Sequence, residues 1–125
     1  MIQAASLVAI VDDDPSVCRA LRRLLASARI EAATFPSAAA FLASGRLPEA
    51  ACLVLDIHLG GMSGFDLQEH LAAAGARLPI IFITAHDDLP TRERARRSGA
   101  VAYLRKPFDE AALLEAIAQA VGRRP

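Results

Sequence analysis

Apolar and polar residues alternate along this chain in blocks rather than one by one. Short aliphatic and β-branched runs stand at 7–11 (LVAIV), 30–35 (IEAATF), 51–55 (ACLVL), 80–83 (IIFI) and 101–105 (VAYLR), lengths that suit strands. Between them apolar positions recur at helical spacing. Val17, Leu21, Leu24 and Leu25 share one face, as do Ala38, Phe41 and Leu42; Leu67 and Leu71 lie four apart, and Leu113, Ile117 and Val121 continue the pattern at the end. Helix starts are marked as well. Asp14 before Pro15 is an N-cap followed by proline at the first helical position, and Ser37 and Asp109 are further caps. Five strands alternating with five helices predict an open parallel sheet covered on both faces.

Polarity within the runs predicts the strand order. The first, third and fourth runs are solidly apolar, as strands buried on both faces are. The second carries Glu31 and Thr34 and the fifth Tyr103 and Arg105, so these two are placed at the edges. The order 2-1-3-4-5 satisfies both conditions. Segment 89–100 has little apolar surface beyond Leu89, Ala95 and Ala100, which predicts a lightly anchored helix able to shift.

That frame gathers dispersed polar residues. Asp12 and Asp13 follow the first strand, Asp56 ends the third, Thr84 the fourth and Lys106 the fifth. In a parallel sheet the carboxyl ends of all strands share one rim, where ligands bind. Three carboxylates on that rim repel one another and invite a hard, oxygen-loving cation, for which Mg²⁺ fits. A hydroxyl and an ammonium opposite them can hold phosphoryl oxygens. The central carboxylate would then be the nucleophile that forms an acyl phosphate. An unpaired buried charge is expensive, so Asp56 at the end of an apolar strand has no cheap structural role.

Composition narrows the function classes. The length of 125 residues suits one domain, 1–125, with a real core. The formal net charge of zero gives no general pull toward nucleic acid or an anionic membrane. Arg92, Arg94, Arg96 and Arg97 read as a solvated helix face rather than a DNA-binding one. No apolar run is long enough to span a bilayer, and no basic segment precedes an apolar one at the N-terminus. Cys18 and Cys52 fit neither a disulfide framework nor a metal motif and read as small hydrophobes in a reducing compartment. A cytoplasmic location is the expectation. "GRRP" at the end reads as a tail or the stub of a linker. One anomaly stands out: of 14 Lys plus Arg only Lys106 is lysine, and it precedes Pro107.

The stretches "VAIVDDDP", "LVLDIHLGGMSG", "IIFITAH" and "AYLRKPF", in this order and spacing, resemble a receiver domain of two-component response regulators across essentially the whole chain. "TAHDDLPTRERA…SGAVAYLRKPF" further resembles the nitrogen-fixation regulator branch, whose members often carry a helix-turn-helix output domain; none is read in these residues. The resemblance implies a flavodoxin-like (βα)5 fold and a switch controlled by phosphorylation. It implies that Asp56 is the phosphoacceptor and that Asp12, Asp13 and Asp56, with the backbone carbonyl of His58, hold Mg²⁺. Thr84 would shift toward the phosphoryl group, Tyr103 would follow it, and Lys106 would contact a phosphoryl oxygen. A compact ammonium can follow carboxylate and phosphoryl group alike, whereas a guanidinium prefers a two-point fork; Pro107 is expected to follow a cis bond. His58 and His86 stand two residues after Asp56 and Thr84, positions that in the family tune the phosphoryl lifetime. Imidazole chemistry would make that lifetime depend on pH near neutrality.

The implied phosphodonor is a histidine kinase or a phosphotransfer protein, and the only catalysis is self-directed phosphotransfer and dephosphorylation. The face made by segments 89–98, 101–105 and 109–121 would bind a downstream protein. A phosphorylation-dependent homodimer is expected there, with Arg94, Arg97 and Arg105 opposite Asp109, Glu110 or Glu115 of a second copy. The site is expected on a solvent-facing rim. One departure bears on the metal site: Gly60, followed by Gly61, stands where the family has proline, which predicts a looser loop. Two alternatives stay open. One is an Asp-nucleophile phosphatase using Asp12 and Asp14 as a D-x-D pair; the other is a receiver excised from a DNA-binding regulator.

Overall fold

A computed structural model describes residues 6–122; most of the "GRRP" tail, residues 123–125, lies outside them. The elements follow the expected alternation: β1 Leu7–Val11, α1 Pro15–Ser27, β2 Ala32–Phe35, α2 Ala38–Ala43, β3 Ala50–Asp56, α3 Gly64–Ala73, β4 Ile80–Thr84, α4 Leu89–Arg97, β5 Ala102–Arg105 and α5 Glu110–Gly122. The strands form a sheet in the order β2-β1-β3-β4-β5, with every pairing parallel. This is the flavodoxin-like arrangement predicted from the sequence.

The strand pleat divides the core in two. Ala9, Val11, Leu53, Leu55 and Phe82 face Phe41, Phe65, Leu67 and Leu71 of α2 and α3. Val8, Ile10, Cys52, Val54, Ile81 and Ile83 face Leu21 and Leu25 of α1 and Leu113 and Ile117 of α5. β1, β3 and β4 are buried along their whole length. β2 and β5 are only partly buried, which explains why polar residues are tolerated there.

Local chemistry sets the boundaries. Asp14 caps α1 by accepting the Ser16 N–H at 2.9 Å, and Ser37 caps α2 by accepting the Ala40 N–H at 3.0 Å. Asp109 accepts the Ala111 N–H at 3.4 Å. The run 30–35 yields a strand only from Ala32. Arg29 takes φ 61° and the Ile30 N–H returns to the Leu25 carbonyl at 2.9 Å, so those residues close α1 instead. The helical pattern also overreached at Val121, which is 39% exposed.

α4 is lightly anchored, as expected, and more so than its sequence implied. Ala95 is its buried residue, and Leu89, an expected anchor, is 69% exposed. The helix is steadied instead by Arg94, whose guanidinium lies 4.3 Å from the Phe65 ring centre and 3.0 Å from Glu69 of α3. Arg94 is therefore engaged within its own chain.

Candidate functional site at the carboxyl rim of the sheet

β1, β3, β4 and β5 deliver Asp12, Asp13, Asp56, Thr84 and Lys106 to one rim. Asp12 is 1% exposed, Asp56 4% and Thr84 0%, while Asp13 is exposed. The rim is thus less solvent-facing at its centre than the sequence led us to expect. One carboxylate oxygen from each of Asp12, Asp13 and Asp56 lies within 4.8 Å of the others.

Lys106 closes this cluster. Its ammonium stands 2.7 Å from Asp12 Oδ2 and 3.5 Å from Asp56 Oδ2. The nearer contact is a close ion pair that holds the buried Asp12 Oδ2. The other oxygens are held by the backbone. Asp12 Oδ1 accepts the Asp14 N–H at 2.8 Å, and Asp56 Oδ1 accepts the His58 N–H at 3.2 Å. The Lys106–Pro107 peptide bond is cis, as expected.

Electrostatics follow from this crowding. Burial first, then the Asp12 charge, pushes the Asp56 carboxyl above the ordinary carboxylate range against the opposing pull of Lys106. Burial alone would lower the Lys106 ammonium, but its contacts with Asp12 and Asp56 outweigh that and raise it. Burial, then Asp12, likewise raises the nearby Cys18 thiol. Three carboxylates whose oxygens converge within 4.8 Å fit a hard divalent cation, which takes oxygen ligands and retains water.

Thr84 and Tyr103, the residues expected from the sequence to act as the switch, each hold a partner in the loop after β4. The Thr84 hydroxyl accepts the His86 N–H at 3.0 Å and lies 3.3 Å from the His86 carbonyl, so it is engaged with its own loop. The Tyr103 hydroxyl donates to Asp87 Oδ1 at 3.0 Å. Arg92 forks onto the same Asp87 carboxylate, and Arg105 stands 3.9 Å from it. Burial and Asp87 push the Tyr103 phenol up to about 12. The imidazoles of His58 and His86 meet at 4.9 Å between ring centres, edge to face at 82°.

Two residues escaped the sequence reading. Asp87 is one of two adjacent acids, and nothing in the sequence separates the tyrosine's partner from Asp88, which caps α4 by accepting the Thr91 N–H. Gly64 starts α3 so close to β3 that an added Cβ would lie 2.5 Å from the Asp56 carbonyl oxygen. Gly60, by contrast, has open space around it. Asp14 is exposed and occupied in capping α1, which removes the second acid that the phosphatase alternative requires.

Known proteins agree with this geometry. The response regulator receiver domain family matches residues 8–118. Nodulation protein W of Bradyrhizobium diazoefficiens is 43% identical over 118 residues, covering 94% of this chain and 52% of that protein. The transcriptional regulatory protein FixJ of Azorhizobium caulinodans is 39% identical over 116 residues, covering 93% and 55%. The chain thus spans about half the length of these curated relatives. Among solved structures, response regulator StyR is 50% identical with a TM-score of 0.86, covering 93% of this chain and 59% of that one. FixJ-N is 33% identical with a TM-score of 0.86, covering 100% and 98%. With the family model matching nearly the whole chain, and the acids, hydroxyl and lysine gathered on one rim, the chain belongs to the receiver domain family of two-component response regulators and is a phosphorylation-controlled signalling switch.

Proposed function

We propose that Asp56 accepts the phosphoryl group of this receiver, donated by a histidine kinase or a phosphotransfer protein. The observation that carries this reading is the Lys106 ammonium between buried Asp12 and Asp56. A carboxylate oxygen of Asp56 attacks phosphorus in line, the bond from phosphorus to the donor nitrogen breaks, and the leaving imidazole takes up a proton. Asp12, Asp13, Asp56 and the His58 carbonyl would hold Mg²⁺, which neutralises charge on the transferring group. Lys106 follows the charge from the carboxylate to a phosphoryl oxygen. Thr84 exchanges its loop contacts for another phosphoryl oxygen, and Tyr103 leaves Asp87 for the space Thr84 gives up.

That exchange alters the surface of α4, β5 and α5, where a cleft of about 470 Å³ is lined by Asp87, Arg92, Arg96, Tyr103 and Arg105 among others. A downstream protein or a second copy of the chain binds there in a phosphorylation-dependent way. Residues 1–125 act as one receiver unit, with no catalysis beyond self-directed phosphotransfer and dephosphorylation. His58 and His86, two residues past Asp56 and Thr84, tune the phosphoryl lifetime. The test is labelling with acetyl phosphate and Mg²⁺. Wild type should acquire acid-labile phosphate and Asp56→Asn should not; label persisting on the intact variant would reassign the acceptor.

A further inference from the structure

We infer that His58 and His86 form a second cation site, for a borderline transition ion of the zinc class, beside the acidic pocket. The two histidines are distant in sequence but leave neighbouring strands at nearly one level, since Asp56 of β3 pairs with Ile83 of β4. Each stands two residues past its strand end, and their rings are in contact, with centres 4.9 Å apart. Two imidazoles sharing a tetrahedral ion with metal–nitrogen bonds of about 2.0–2.1 Å have ring centres roughly 5 Å apart. The separation is already that of a chelating pair. The rings meet edge to face, so binding requires one to turn about its side-chain bonds, which the exposure of both histidines permits.

The chemistry separates this pair from its neighbours. Carboxylate and carbonyl oxygens suit Mg²⁺, whereas imidazole suits zinc-class ions. Asp88 is held away from the pair as the cap of α4, its Oδ1 accepting the Thr91 N–H at 2.8 Å. Two imidazoles leave the remaining positions of a tetrahedral ion to water, so the site is an exchangeable rather than a structural one. Such an ion would tie the loop after β3 to the loop after β4. The latter loop holds the Thr84 hydroxyl through the His86 backbone, so occupancy would oppose the Thr84 shift.

The test uses tag-free protein with Mg²⁺ in excess, titrated calorimetrically with ZnCl₂, and needs no phosphorylation, so its failure leaves the acceptor assignment standing. One zinc should bind, and His58→Gln with His86→Gln should weaken it by roughly tenfold or more, about 1.4 kcal/mol per factor of ten. The imidazole proton signals of His58 and His86 should move with zinc while those of His70, on α3, stay fixed. Unchanged affinity in the double variant, movement of His70 instead, or competitive displacement of zinc by Mg²⁺ would each overturn the site.

Discussion

Replacing the phosphoacceptor candidate should stabilise the metal-free fold. Asp56 is 4% exposed, and the cluster oxygens of Asp12 and Asp56 lie within 4.8 Å, so their repulsion is at least about 3 kcal/mol at an effective dielectric constant of ~20. The Lys106 ammonium at 3.5 Å returns about 5 kcal/mol on the same scale. Asp13 adds a weaker repulsion, since it is exposed and screened. Pairwise charges therefore nearly cancel, and the desolvation of a buried carboxylate, several kcal/mol less its hydrogen bond to the His58 N–H, decides the sign. Asp56→Asn removes that charge and leaves Lys106 paired with Asp12. We expect the variant to be more stable by about 1–2 kcal/mol in EDTA at pH 7–8, a urea midpoint about 0.5–1 M higher. The folded carboxyl of Asp56 is raised, so the wild type has no deficit below the unfolded value and acquires it as pH rises through the folded value. The gain from Asp56→Asn should accordingly shrink on acidification. Mg²⁺ at tenfold its dissociation constant should restore about 1.4 kcal/mol to the wild type and less to the variant. Urea melts in EDTA and Mg²⁺ across this pH range measure all three effects. A variant less stable than wild type in EDTA, or a gain that grows toward acid, would refute the reasoning.

The chain has one tyrosine and no tryptophan, so tyrosine fluorescence reports Tyr103 alone. Lys106→Arg should fold with a loss of about 1–2 kcal/mol from overpacking, accept label on Asp56, and fail to change Tyr103 emission on adding beryllofluoride; a normal change would make the lysine incidental. Asp87→Asn should lower the phenol from about 12 toward the ordinary value near 10 without reaching it, because burial is the first cause of the shift; an unchanged spectrophotometric titration would remove Asp87 from the switch. Gly64→Ala should cost about 1–3 kcal/mol and slow labelling of Asp56, because its Cβ meets backbone atoms, whereas Gly60→Ala should be nearly silent in the same melts. Light scattering should show a monomer that becomes a dimer with beryllofluoride, and Arg105→Glu should prevent it; an unchanged mass would count against association through β5.

The sequence by itself determined the architecture. Strands buried on both faces leave no place for polar residues before their carboxyl ends, so β1, β3 and β4 declared themselves central, and Thr34, Tyr103 and Arg105 marked the edges, while Glu31 stands just outside β2. It also located the rim, because parallel strands must end on one side, and that geometry alone brings Asp12, Asp56, Thr84 and Lys106 together. Tertiary structure decided the partners. Lys106 sits nearer Asp12 than Asp56, a matter of tenths of an ångström set by loop paths that no periodicity encodes. Asp87 and Tyr103 meet across 16 positions because the loop after β4 lies beside β5, while Asp88 is turned away to cap a helix. The pairing of His58 with His86 and the contact that forbids a side chain at Gly64 have the same origin. Hydrophobic burial acts along whole elements and leaves a repeating trace in the chain, whereas a hydrogen bond or a close approach depends on where two particular loops end.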